Sequence, residues 1–181
     1  LTLGIYECVM IAASAAIILL KGVFYMWYSK IVDNLAEVVS AVEFYNKELS
    51  DAQDESRIKG SIEKNAQELS GIMSHRYNQL QEIEAILKYL NIKYDKMRSD
   101  HYRKYNERYN RELSDRSIEK YIDGEDDIVT MSMLINEVSL IRNKYLGLIK
   151  GLDVKQFQIS NIIKLRVVGL ENATVENNTR L

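Results

Sequence analysis

The chain has 181 residues, 46% of them hydrophobic and 28% charged, which excludes a wholly disordered polypeptide and supplies ample material for a core. With no proline and only eight glycines, it lacks the turn residues that sandwiches, barrels and doubly wound sheets require. One cysteine and two histidines exclude a disulfide framework, a cysteine zinc site and a histidine-rich metal centre, so an all-α fold of long helices remains, and the net charge of −2 says nothing until its distribution is read.

Residues 1–30 are expected to form a hydrophobic helix. The run from Cys8 to Tyr28 carries one charge, Lys21, in 21 residues, and a helix of that length just crosses a hydrocarbon layer of about 30 Å. Tyr25, Trp27 and Tyr28 cluster at one end, as aromatic side chains do at a membrane interface. Two readings stand: insertion into a membrane, or a buried amphipathic helix, since the uninterrupted apolar stretch ends at Leu20. If the helix inserts, Lys21 and Lys30 behind it and Glu7 before it favour a cytoplasmic remainder. Residues 31–60 read as a polar helical linker that ends in a break bracketed by Ser50, Asp51 and Gly60.

Residues 61–173 are expected to be a helical domain. Ile62, Ala66, Leu69, Met73, Arg76, Leu80, Ile83, Leu87, Leu90, Tyr94 and Met97 alternate spacings of four and three, the period of side chains that meet a partner helix. Only Arg76 interrupts that seam. A second seam runs through Met131, Leu134, Val138, Ile141, Tyr145, Leu148, Leu152, Ile159, Ile162 and Ile163, with Lys155 at its one polar station. Gly147 and Gly151 weaken its middle and suggest a bend or a close helix crossing. Asp123-Gly124 is the best turn signal between the seams. Beyond Gly169 the sequence is polar, and residues 174–181 are expected to fray.

The near-neutral total conceals segregated charge. Residues 93–111 hold seven basic side chains (Lys93, Lys96, Arg98, Arg103, Lys104, Arg108, Arg111) against three acidic ones, with Tyr94, Tyr102, Tyr105 and Tyr109 interleaved. Residues 112–127 reverse this to seven acids against two bases, and residues 139–168 return to six bases against Asp153 alone. Cations neutralise phosphates and aromatic rings stack on bases, so the tyrosine-rich basic stretch suits a single-stranded nucleic acid. The bland alternative is a solvated helix face, and Tyr94 lies on the apolar seam. The acidic stretch could be a solvated loop, a counter-ion for a neighbouring subunit, or a dock for a basic partner. No glycine-rich phosphate loop, nucleophile elbow or paired metal-ligand motif appears, so neither catalysis, a metal nor another cofactor is expected.

From about Ile72 to Ala173 the chain resembles the UvsY-like recombination mediators of T-even-type bacteriophages and their marine relatives. The segments that carry the resemblance are IMSHRYNQL (72–80), KYDKMRSDHYRKY (93–105), SDRSIEKYIDGEDDI (114–128) and NKYLGLIKGLDVKQFQISNIIKLRVVGLENA (143–173). The resemblance implies an accessory protein of the host cytoplasm that binds single-stranded DNA and helps a RecA-like recombinase displace single-strand-binding protein. It also implies a ring-like homo-oligomer, a hexamer in the best-known member, assembled through C-terminal helices. The DNA-contacting motif falls on Lys96, Arg98, His101, Tyr102 and Tyr105, and the basic stretch around it adds Lys93, Arg103, Lys104 and Arg108. His101 departs from the arginine usual in the family, so the fixed charge that the resemblance implies at this position is in question. Tyr145, Leu148, Leu152, Phe157, Ile159 and Ile163 would form the assembly surface. Residues 1–60 lie outside the resemblance, and three readings stand for them: an inner-membrane tether, a fused upstream reading frame, or a different family altogether. The competing reading is a membrane-anchored, spanin-like coiled-coil tether with no nucleic-acid role.

Overall fold

The computed structural model describes residues 26–108 and 114–170. Most of the apolar N-terminal run, including Lys21 and Tyr25, lies outside the described residues, as does the tail expected to fray. The fold is all-α: α1 (Met26–Asp33), α2 (Glu37–Asp51), a single 3-10 turn (Ala52–Asp54), α3 (Ile62–Arg108), α4 (Asp115–Asp123) and α5 (Asp126–Val167). No helix among the described residues is long and apolar enough to cross a membrane.

The two seams find each other. α3, with 47 residues, and α5, with 42, pack antiparallel as the spine of the molecule. Contacts from Arg166 to Glu63 and from His101 to Asp127 mark the two ends of that pairing. Leu80, Ile83 and Leu90 of α3 are buried with Met131, Val138, Ile141 and Tyr145 of α5. The 3.5-residue period keeps one stripe of each helix against the other, which the drift of a straight helix would prevent.

Local chemistry ends these helices where the sequence changes. Gly60 adopts φ +75, a left-handed conformation that favours glycine, and sets the corner before α3. Ser61 then accepts the Lys64 amide at 3.2 Å, and the Asn65 side chain donates to the carbonyls of Lys59 and Ser61 at 2.7 Å each. Asp126 and Asp127 occupy the first turn of α5 and Lys164 and Arg166 the last, in line with the helix dipole. Gly169, at φ +72, closes that helix.

The segment expected as a polar linker is part of the packed body instead. Ile31, Val38, Ala41 and Tyr45 are buried in the same core as the α3–α5 seam. Their spacing gives α1 and α2 an apolar stripe too narrow to dominate the composition, which is why the stretch reads as polar. Trp27 and Tyr28, expected at a membrane interface, pack inward. Trp27 lies 5.6 Å from the Phe44 ring, and Tyr28 lies edge-on to Tyr89 at 6.3 Å. The buried carboxylate of Glu82 holds them there, accepting the amides of Trp27 at 2.7 Å and Tyr28 at 3.0 Å. An acid from one helix thereby caps the first turn of another. Tyr45 donates to the same carboxylate at 2.7 Å, and burial first, then this bond, holds its phenol far above the ordinary range.

Both polar stations of the seams converge on Glu55. Arg76 grips the Glu55 carboxylate through Nε at 2.9 Å and Nη2 at 2.7 Å, and reaches Glu48 at 2.9 Å and Gln79 at 2.7 Å through Nη1. Lys155 donates to the Glu55 carbonyl at 2.9 Å. Gly151 makes room for this crossing, since a Cβ there would sit 3.3 Å from the Ser56 Cβ, whereas Gly147 faces open space. Arg76→Ala should therefore leave two half-buried carboxylates without their cation and cost about 3 kcal/mol. Urea denaturation followed by circular dichroism checks this, and a loss near zero would mean that the network contributes nothing to stability.

Candidate nucleic-acid interface

The distal part of α3 carries the basic, tyrosine-rich stretch, and the helix divides it between two faces. Arg98, His101, Tyr102 and Tyr105 recur at three- and four-residue steps and turn toward α4 and the start of α5. Beneath them Ile118, Ile122 and Ile128 are buried against Tyr94, Met97 and Tyr105. α4 is strongly amphipathic for its length, with Ile118 and Ile122 inward and Arg116, Glu119 and Lys120 outward.

Each of the four inward-turned polar residues has an acidic partner from residues 115–127. Arg98 forms a short ion pair with Asp123 and contacts the Tyr94 hydroxyl at 3.3 Å. The Asp123 bond and then the Tyr94 contact raise the Arg98 guanidinium above its ordinary range. His101 Nε2 meets the two Asp127 carboxylate oxygens at 2.8 and 3.0 Å. Tyr102 donates to Asp115 at 2.9 Å, which raises its phenol. Tyr105 makes a short bond to Glu125 and stacks on Tyr121 at 5.9 Å with ring planes 25° apart. The acidic stretch is thus paired within its own chain, an arrangement that argues against Arg98, His101, Tyr102 and Tyr105 forming the nucleic-acid face expected of them.

The opposite face keeps the other expected cations in solvent. Lys93, Lys96, Arg103 and Lys104 are exposed, with Lys93 lying 5.4 Å over the Tyr89 ring and Arg103 at 3.8 Å from Asp100. Asp100 and Glu107 share that face and moderate its charge. Arg108 ends α3, and its side chain lies outside the described residues, as do Tyr109 and Arg111. In the second basic block, Arg142 pairs with Glu84 at 3.0 Å, Lys144 reaches Asn46 at 3.2 Å, and Lys155 is buried.

The expected assembly surface is divided as well. Tyr145, Leu152 and Ile159 are buried within the chain and Leu148 is half-buried, because the α5 seam meets α3 of the same subunit. Those residues are unavailable to a neighbour. Phe157, 67% exposed, and Ile163 remain outside, and Ile163 borders a shallow groove with Ala66, Met73 and Ser160.

His101, Glu125 and Asp127 place three possible metal-ligating atoms within 4.8 Å of one another. The N-terminal amides of α5 present positive potential there, which favours the carboxylates themselves and opposes an added cation. Comparison with protein families, with curated proteins and with solved structures finds no match for this chain.

The pairing of Asp127 has a measurable consequence. The His101 contact, followed by the Ile128 amide, holds the Asp127 carboxyl below its ordinary range. A carboxyl lowered in the folded state contributes stability that is complete above its unfolded pKa of about 4 and is lost as pH falls through the folded value. Asp127→Asn should therefore flatten the acid limb of the melting temperature below about pH 4. An unchanged limb in thermal scans would show that this pair is not coupled to folding.

Proposed function

We propose that the chain is a non-enzymatic UvsY-like recombination mediator that binds single-stranded DNA and helps a RecA-like recombinase displace single-strand-binding protein. The observation that carries this reading is the cationic outer face of distal α3, where Lys93, Lys96, Arg103 and Lys104 remain exposed on a rigid helix. The resemblance supports it further, since its basic, tyrosine-rich segment lies on distal α3 and its closing segment largely on α5. A few phosphate contacts per subunit are weak alone. Repetition around a ring-like homo-oligomer such as a hexamer multiplies them through effective concentration. In this reading Phe157 and Ile163 contribute the assembly surface, and the protein works in the host cytoplasm.

A second reading, a helical tether without nucleic-acid binding, is favoured by one observation. Arg98, His101, Tyr102 and Tyr105 already have acidic partners within the chain.

The two readings separate in a binding experiment. The full chain and its Lys93→Ala, Lys96→Ala, Arg103→Ala, Lys104→Ala quadruple variant are titrated with fluorescein-labelled oligothymidine. Four phosphate contacts predict a log–log salt slope of about −3 that the variant loses. Equal binding by the two proteins, or a flat salt response, favours the tether. For assembly, Phe157→Asp should reduce particle mass in light scattering at unchanged helicity, whereas Leu152→Asp should unfold the chain. Unchanged mass for Phe157→Asp would remove this surface from assembly.

A further inference from the structure

We propose that α4 is a displaceable cover that imitates a bound nucleotide strand, so that polyanion binding swings it away and uncovers a second binding face on α3. This rests on the mediator reading and assigns a regulation to the same site. The imitation is chemical and one-for-one. Asp123 stands on Arg98 and Asp115 on Tyr102, as phosphate oxygens would. Tyr121 stacks on Tyr105 at 5.9 Å, as a base would, while its own side remains 53% exposed. Carboxylates and a phenol ring from one short helix thus satisfy the two kinds of contact by which single strands are held, ionic and stacking.

The attachment is light enough to exchange. α4 has nine residues and buries two large side chains, Ile118 and Ile122. Its Arg98–Asp123 pair is partly open to solvent, and pairs of that kind contribute little to stability. The Asp123-Gly124 turn joins it to α5 and supplies a pivot. Glu125 and Asp127 belong to the start of α5, which Ile128 anchors, so they stay when α4 leaves. What α4 releases is the Arg98 guanidinium, the hydroxyl of Tyr102 (a side chain already 38% exposed) and the face of Tyr105 that stacks on Tyr121. Tyr102 falls between Arg98 and Arg103 around the α3 helix, so the uncovered face continues into the cationic one.

The full chain and its Asp115→Asn/Asp123→Asn variant are compared for binding of fluorescein-labelled oligothymidine by anisotropy. The variant should bind on the order of tenfold more tightly at equal helicity, since it removes the carboxylates that compete with phosphate. Adding Arg98→Ala to that variant should abolish the gain. Asp33→Asn/Glu43→Gln, which removes two exposed acids on α1 and α2, should give none. In the unaltered protein, hydrogen exchange at residues 115–123 should accelerate when oligonucleotide is added. Binding by both proteins with equal affinity, with α4 amides still protected, overturns the cover and leaves the mediator reading standing. A gain matched by the Asp33→Asn/Glu43→Gln control also overturns it, because net charge alone would then be the cause. Binding by neither protein overturns both.

Discussion

Glu55 is the point through which the two halves of this fold are joined. Each long seam carries one charged residue among apolar ones, and each charge is an expense in a helix interface unless a partner is fixed in place. Arg76 from α3 takes the Glu55 carboxylate in a two-pronged grip, and Lys155 from α5 takes its carbonyl. The partner is therefore a segment between helices, held against the spine by charges that would otherwise be unsatisfied. Bidentate geometry matters here because a guanidinium matches a carboxylate in direction as well as in charge. Gln79 completes the arrangement by bonding Glu48, and with Arg76 it holds the Glu48 carboxyl below its ordinary range.

A consequence is that α1 and α2 are bound at both of their ends. Glu82 caps the start of α1 and accepts Tyr45 from α2, while the Arg76 cluster holds the end of α2 and the turn beyond it. Between these polar clamps lies the apolar stripe of Ile31, Val38, Ala41 and Tyr45. Polar clamps of this kind add direction to hydrophobic burial, which by itself is indifferent to register.

The distal end uses the same device in a weaker form. There the acids of residues 115–127 face the cations and phenols of α3, but the pairs are more exposed and the apolar support is three isoleucines. The proximal pairs are shielded by the core, whereas the distal carboxylates are half open to solvent. The division of the basic stretch between a covered and an uncovered face follows from helical geometry alone, since Lys93, Lys96 and Arg103 point away from Arg98 and Tyr105.

The spacing of four and three, the lack of proline and the turn at Asp123-Gly124 were sufficient to read the two long helices and an apolar stripe on each; the short helix α4 and the packing of α1 and α2 were not read. The long helices and their stripes were legible because each depends on neighbours within a few residues in the chain. Glu82 as a cap, Glu55 as a shared partner and Asp123 as the partner of Arg98 were not, because each joins positions brought together only when α3 and α5 fold back on one another. The same reason explains the burial of Tyr145, Leu152 and Ile159 within the subunit: a seam on a sequence shows that a helix has a partner and leaves open whose helix it is. Charge segregation, likewise, showed where the acids and bases lie. Only the tertiary structure decided that they face each other, because Coulomb attraction acts across space and linear order does not encode that distance.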